Sequence, residues 1–239
     1  MKLLPLALAA GLLLAAPAAR AQDIGPVFDM SILPTNAGLQ QVEMAERKRA
    51  GLPDKYAGKT AAPATRASFA YVPTAARQQQ TAAAYVARLR ASNPAAATTV
   101  ASSLAGKTNY PALYHELNDG TGRPENDAAA VMANYLLLNW AIVNDVHDEQ
   151  AITPARSRAV RTQATDILAR NQQLAAPGAT ARLGEQLKLS AALLKVGWLR
   201  AQHDGTAAAY RQKIGAQLQH QFHLDMSQLQ LTAQGLAKK

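Results

Sequence analysis

The sequence predicts an all-α protein, a single bundle-like domain of about seven helices over residues 67–239, in which a minor two-stranded β ribbon is the one exception. Apolar residues recur at helical spacing from residue 67 onward. The predicted helices are bounded by residues that favour helix ends, mainly Pro, Asn, Thr and Gly. The sequence has no repeat period and no strand-rich block. A signal peptide and an irregular arm are expected before the domain.

Residues 1–21 have the pattern of a secretory signal peptide. The segment MKLLPLALAAGLLLAAPAARAQ combines Lys2 with an apolar run over 3–16, and it places Ala19 and Ala21 where a signal peptidase reads small residues. A membrane helix needs about 20 apolar residues, so cleavage after Ala21 is favoured over a retained anchor. The chain has no cysteine, which excludes a lipoprotein anchor and thiolate sites. We therefore expect a soluble periplasmic or secreted protein.

Residues 22–66 differ in composition from the rest of the chain. They are rich in Gly and Pro, and only residues 39–49 show a short helical pattern. This composition predicts an extended or partly disordered arm. Two roles fit equally well: a short interaction motif around residues 27–33, or a tether that holds the domain away from the export site.

The first three predicted helices are separated by proline, asparagine and glycine. Pro73 starts a helix to about residue 91, which Asn93 and Pro94 end while opening a second helix to about residue 105. The third is the segment PALYHELN, which Gly120 closes.

Four longer helices follow, with predicted ranges of 124–144, 154–174, 180–202 and 206–222. Thr153 and Pro154 favour the start of the second of them. The sequence APG after residue 175 favours its end.

Two short segments break the helical pattern. FAYV at residues 69–72 and LQLT at residues 229–232 alternate or carry β-prone side chains, and the first comes directly before a proline. We expect these two segments to pair with each other as a ribbon that joins the two ends of the domain.

The helix predicted over 124–144 is the most informative element of the sequence. Between Asp127 and Asp145 it has 17 uncharged residues. A membrane span would place Asn134 and Asn139 in hydrocarbon, which is unfavourable unless these side chains are paired. A central helix surrounded by other helices is therefore predicted instead.

The polar side chains of this helix are not evenly distributed. At about 100° per residue, Asn126, Asp127, Asn134 and Asn144 share one face, and Asn139 lies on the other side. A buried Asn139 must be hydrogen-bonded. Either it ties the helix to a loop backbone, or it lines a pocket with Trp140 and the 126–127 end. The candidate binding residues are Asp127, Asn134, Asn139 and Trp140.

Motifs for catalysis and for metal or nucleotide binding are weak or missing. The sequence has no nucleophile elbow, zinc-protease motif, Walker loop or dinucleotide fingerprint. His220, His223 and Asp225 offer metal-binding side chains near a helix end, and DVHDE at residues 145–149 gathers three acids around His147. Surface or capping roles are favoured for both groups. No catalytic residue, metal site or cofactor is predicted.

The net charge limits the classes of partner. It is +9, and loss of Lys2 and Arg20 with the signal peptide lowers it to +7. Such a charge keeps a protein soluble, and it also fits anionic partners such as envelope lipids, lipopolysaccharide or acidic proteins. Nucleic acid is not expected as the partner of an exported protein.

Four segments carry a family likeness: RPENDAAAVMANYLLLNWAIVN, LGEQLKLSAALLKVGWLRA, HLDMSQLQLTAQGL and the upstream FAYVP. Together they resemble an uncharacterised family of exported bacterial proteins, a domain of unknown function. The likeness covers roughly residues 68–236. It implies one helical domain behind a signal peptide, without an assigned activity or catalytic residues to carry over.

The sequence favours a non-enzymatic exported module that binds an envelope or secreted protein or has a structural role. The alternative is a small-molecule-binding or hydrolytic protein with a site beside helix 124–144. A third hypothesis is association with an anionic membrane surface. The alternative predicts a pocket of at least about 300 Å³ where several of Asp127, Asn139, His115 and His147 converge.

Overall fold

A computed structural model describes residues 68–105, 109–119 and 121–239. Within these ranges the chain forms seven α-helices and a two-stranded antiparallel ribbon, which confirms the all-α class with a minor ribbon. The predicted signal peptide and arm lie outside the described residues. The helices are α1 (Ala75–Ser92), α2 (Pro94–Ala105), α3 (Tyr110–Asn118), α4 (Ala128–Val143), α5 (Pro154–Ala169), α6 (Ala179–His203) and α7 (Ala207–Phe222). The strands are β1 (Leu229–Thr232) and β2 (Gly235–Lys238), and 3₁₀ turns cover Glu149–Ala151, Gln172–Ala175 and Met226–Gln228.

Side-chain caps set the starts of five helices. Thr74, Asn93, Asn109, Asp127 and Thr153 each accept a hydrogen bond from the backbone N–H three residues further on. Because Asp127 is the cap, α4 begins one residue later, about one turn after the predicted start at residue 124.

The helix predicted over 154–174 is interrupted. α5 ends at Ala169, and a separate 3₁₀ turn begins at Gln172. Between them the Asn171 side chain accepts a hydrogen bond from the Gln173 N–H. Short polar side chains of this kind compete with the helical hydrogen bonds of the backbone, which explains the break.

The central position predicted for α4 is confirmed. Twelve of its sixteen residues are buried, and it packs against α5, α6 and α7. In the described ranges, no helix has both the length and the apolar character that a membrane crossing requires.

Helix α6 lies between two apolar clusters. Leu187 and Leu194 pack in the main core with α4. Leu189 packs in a smaller cluster with Tyr85 of α1 and Val100 of α2. All ten residues of α6 from position 183 to 192 are buried, so polar side chains in this stretch need partners inside the protein.

The ribbon forms, but the strand partner predicted for residues 229–232 is wrong. β1 pairs with β2, and Thr232 faces Gly235 across a two-residue turn. Residues 69–72, which we call the strap, are extended and contact the start of α4 through a bridge between Ala70 and Asp127. Closing a two-residue turn restricts the chain far less than joining segments about 160 residues apart.

Side chains fix the ribbon to the helices. The Gln163 amide donates to the Leu236 carbonyl and accepts from the Leu236 N–H, both at 2.9 Å. On the other strand, Trp140 Nε1 donates to the Leu229 carbonyl at 3.0 Å. These contacts also occupy backbone groups that would otherwise be available at the sheet edges.

Candidate functional site

Asp127 has two structural contacts at the start of α4. One carboxylate oxygen accepts the N–H of Ala130 at 2.8 Å, and the other lies 3.0 Å from the Arg161 guanidinium of α5. The side chain is therefore used to fix the N-terminus of α4 to α5.

Asn134 lies among polar contacts between α3 and α4. Its Nδ2 donates to the Tyr114 hydroxyl at 2.8 Å and to Asn118 Oδ1 at 2.9 Å, and its Oδ1 accepts from Arg123 at 2.7 Å. Burial raises the pKa of the Tyr114 phenol to about 12, although the hydrogen bond from Asn134 opposes that rise. Asn134 thus has a partner for both ends of its amide.

Asn139 does not tie α4 to a loop, so that interpretation of its amide is wrong. The residue is fully buried, and its Nδ2 donates to the Tyr135 carbonyl of the same helix at 2.7 Å. Its Oδ1 accepts no hydrogen bond from the described residues. The loop contacts come from its neighbours, since Trp140 bonds β1 and Asn144 donates to the Met226 carbonyl at 2.9 Å.

The four predicted binding residues are therefore not brought together. Asp127 contacts α5, Asn134 contacts α3, Asn139 contacts its own helix, and Trp140 contacts the ribbon. Their predicted role in binding stays a prediction.

A buried ion pair that the sequence analysis missed lies on α6. Glu185 is 0% and Lys188 4% exposed, and Lys188 Nζ lies 3.1 Å from Glu185 Oε1. Tyr71 donates to Oε1 at 2.9 Å, and Tyr110 donates to Oε2 at 2.6 Å. Lys188 also donates to Asn126 Oδ1 at 2.6 Å. We call these five residues the ionic cluster.

Two residues of α6, Lys188 and Gly184, contact the Tyr71 ring. Lys188 Nζ lies 5.2 Å from the ring centroid, at cation–π distance. Gly184 lies against the ring, and a Cβ at that position would overlap it. Burial, followed by the charge of Glu185, raises the pKa of Tyr71 well above its usual value. Burial and the hydrogen bond to Glu185 do the same for Tyr110, so both phenols stay protonated and donate.

The sequence did contain a signal for the ionic cluster. Leu187 and Leu189, on either side of Lys188, point to two different faces of the helix, because neighbouring positions differ by about 100°. A helix with apolar residues on two faces is buried on both. This pattern indicates that the charges at 185 and 188 lie near the interior. The Tyr71 contact was not predictable in this way, because it joins residues 114 positions apart.

An open groove of about 590 Å³ lies between α7, the end of α4 and the turn Met226–Gln228. We call it the α7 groove. Small or apolar side chains contribute to its lining, among them Val143, Ala208 and Ala216. Arg211 forms an ion pair with Asp145 in the same lining and holds the pKa of that carboxyl below its usual range. Asp145 itself has a left-handed backbone with a φ of 56°.

The residues expected to converge in a reactive pocket do not line this groove. Asp127, Asn139, His115 and His147 are all outside its lining. His147 approaches the groove only through Asp145, with its Nε2 at 3.0 Å from the carboxylate.

The other histidines have local roles. His115 lies 2.6 Å from Glu125, and this hydrogen bond raises the pKa of His115. His223 is the C-terminal cap of α7 in a left-handed conformation, and Asp225 accepts from the Ser227 N–H. In the described part of the chain, no three His, Asp or Glu side chains are arranged to hold a metal ion.

Comparisons of the chain with protein-family models, with curated proteins and with solved structures found no match. The resemblance to an uncharacterised exported family therefore stays a prediction.

Proposed function

We propose that this protein is a non-enzymatic exported module whose α7 groove binds an extended segment of another envelope or secreted protein. The observation that carries the proposal is the groove of about 590 Å³ on the outside of the bundle. The exported location rests on the signal-peptide pattern at residues 1–21.

The length of the groove supports a peptide as the occupant. It extends along α7 from Ala208 to Gln219. At 1.5 Å per residue this is about 16 Å, which matches about five residues of extended chain. Proteins commonly recognise a short exposed peptide segment of their partner.

The chemistry of the lining also fits a peptide. Gln212 and Gln219 carry amides, which donate and accept as peptide groups do. Ala208 and Ala216 are exposed and small, so apolar side chains of a bound segment have room between the polar groups. The groove therefore offers both hydrogen bonds and apolar contact.

The use of charged groups elsewhere supports a non-enzymatic role. General acid–base catalysis needs a titratable group within reach of the substrate. Glu185 and Lys188 are buried against each other, and Asp127 is bonded to Arg161. These charged groups serve packing. The two carboxylates in the groove lining are also bonded within the protein, Asp145 to Arg211 and Asp225 to Ser227, which favours binding over reaction.

Two alanine substitutions on α7 test the groove. Ala216→Arg places a long side chain in the groove, and Ala209→Arg is the matched control, because Ala209 is exposed on the same helix outside the lining. In a cross-linking pull-down from the producing cell, we expect a partner captured by the unmodified protein and by the control but lost with Ala216→Arg. Equal capture by both variants would contradict the groove, and no specific capture by the unmodified protein would contradict partner binding.

Deletion of residues 22–66 separates the two roles predicted for the arm. If the arm contacts the partner, its removal should lower capture. If the arm is only a tether, the purified protein without it should capture the partner equally well. The same pull-down measures both outcomes.

A further inference from the structure

The strap places one side chain, Tyr71, in a site with the features of a phenol-binding pocket. The hydroxyl donates to the Glu185 carboxylate at 2.9 Å. The Lys188 ammonium lies over the ring at 5.2 Å, and Gly184 leaves space for the ring where any side chain would overlap it. Each of the three residues recognises a different part of a phenol: its hydroxyl, its π face and its ring volume.

The strap is attached to the bundle by two backbone hydrogen bonds and by the side chains of Phe69 and Tyr71. Tyr71 N donates to the Asn126 carbonyl and Ala128 N donates to the Phe69 carbonyl, both at 2.9 Å. Phe69 is buried, but Val72 is 80% exposed. Apart from the Phe69 and Tyr71 side chains, the strap is thus a single bridge on the surface of the bundle.

The rest of the site does not depend on the strap. The first turn of α1 has its own cap, because Thr74 accepts from the Arg77 N–H. Glu185 also accepts a hydrogen bond from Tyr110 and forms an ion pair with Lys188, and neither contact involves Tyr71. Release of the strap therefore leaves a formed pocket with a carboxylate, an ammonium and an open ring position.

We infer that Tyr71 is a displaceable internal ligand of a phenol-binding site formed by Gly184, Glu185 and Lys188, and that this site binds another para-substituted phenol when the strap leaves. The ligand is either a small phenol or the tyrosine side chain of a protein segment. The site is at the opposite end of α4 from the α7 groove, so it stands independently of the proposed function.

The first experiment measures recognition of the phenol with 4-methylphenol, the tyrosine side-chain analogue. In the variant Tyr71→Ala, we expect 4-methylphenol to raise the melting temperature saturably. Toluene, which lacks only the hydroxyl, is the control and should have less than half that effect at equal concentration. An equal effect of the two compounds, or no effect of either, would overturn the inference.

The second experiment measures displacement in the unmodified protein and does not depend on a variant that folds. Hydrogen exchange at the Tyr71 and Ala128 amides reports the strap, and exchange at the Leu187 and Leu189 amides of α6 reports the bundle. We expect 4-methylphenol, but not toluene, to speed exchange at the first pair and leave the second unchanged. Strap amides that exchange as slowly as those of α6 and do not respond to 4-methylphenol would show that Tyr71 is a fixed part of the core.

A peptide distinguishes the two sources of the phenol. The peptide SFAYVP repeats the strap, and SFAFVP lacks the hydroxyl. If a protein segment is the ligand, SFAYVP should bind Tyr71→Ala at least about tenfold more tightly than SFAFVP, because a hydrogen bond to a charged group is lost. Binding of 4-methylphenol without binding of SFAYVP would assign the site to small phenols.

Discussion

The six tyrosines in the described ranges form two groups of three around α6, and the two groups are built differently. Tyr71 and Tyr110 belong to the ionic cluster in the first half of the helix, and the Tyr114 ring centroid lies 5.9 Å from Lys188 Nζ. Tyr110 and Tyr114 each add to the raised pKa of Tyr71. The second group is Tyr85, Tyr135 and Tyr210, and here Tyr85 and Tyr135 add to the effect of burial in raising the pKa of Tyr210.

Both groups use a glycine of α6 as the contact surface for one ring. A Cβ at Gly184 would overlap Tyr71, and a Cβ at Gly197 would overlap Tyr210. The acceptors differ, however. Tyr71 donates to a buried carboxylate, whereas Tyr210 donates to the backbone carbonyl of Leu194 at 3.1 Å.

The comparison shows that burial has different consequences where phenols donate to a charged acceptor and where they donate to a neutral one. A buried carboxylate needs several donors and a cation, because an uncompensated charge in the interior is strongly unfavourable. Glu185 has two phenols and Lys188 for this purpose. A backbone carbonyl needs no such shell, so the second group depends more on packing.

The largest expected effect is loss of the charge balance at Glu185. Glu185→Leu leaves Lys188 buried without its counter-ion, and we expect the free energy of unfolding to fall by about 3–5 kcal/mol. The measurement is urea denaturation of the purified protein at neutral pH.

The double variant Glu185→Leu/Lys188→Met is the control for that prediction. It removes both charges, so its loss should be smaller than that of Glu185→Leu alone, in spite of the second substitution. A double variant as unstable as the sum of the two single variants would show that the charges do not compensate each other.

The second prediction compares the two glycines. Gly197→Ala forces Tyr210 out of its position within α7, and we expect a loss of about 2–3 kcal/mol in stability. Gly184→Ala should have a smaller effect, about 1 kcal/mol, because the strap moves with Tyr71 and the new alanine favours the helix. Chemical denaturation of both variants measures the difference. A larger loss for Gly184→Ala would mean that the strap is fixed as firmly as α7.

The third prediction compares the two kinds of acceptor. Tyr110→Phe removes a hydrogen bond to a carboxylate, so we expect a loss of about 2 kcal/mol, whereas Tyr210→Phe removes one to a neutral carbonyl, and we expect about 1 kcal/mol. The same denaturation series measures both, and their rings stay in place as internal controls for packing. Equal losses at the two positions would show that the charge of the acceptor does not affect the contribution of these hydrogen bonds to stability.

These differences mark the limit of what the sequence predicted. The central position of α4 followed from its uncharged length, and the start of α5 followed from Thr153 and Pro154. The ribbon partner did not follow, because Ala233 and Gln234 are not residues typical of a tight hairpin turn. The ionic cluster did not follow either. Glu185 and Lys188 are spaced like a solvated helix-surface pair, and only the neighbouring leucines indicated burial.

The smallest expected effect is at Asn139, the amide that the sequence singled out. Its Nδ2 donates to the Tyr135 carbonyl, which also accepts the helical N–H of residue 139, and its Oδ1 has no partner among the described residues. Asn139→Leu has the same branched shape, leaves that carbonyl bonded and removes a buried unpaired acceptor. We therefore expect a change in unfolding free energy of less than about 1 kcal/mol, and an increase in stability is within that range. Asn134→Leu is the matched control, because it removes the hydrogen bonds that Tyr114, Asn118 and Arg123 make with this amide, and it should lose about 2–3 kcal/mol. A large loss at Asn139 would show that this amide has a role that its contacts within α4 do not explain.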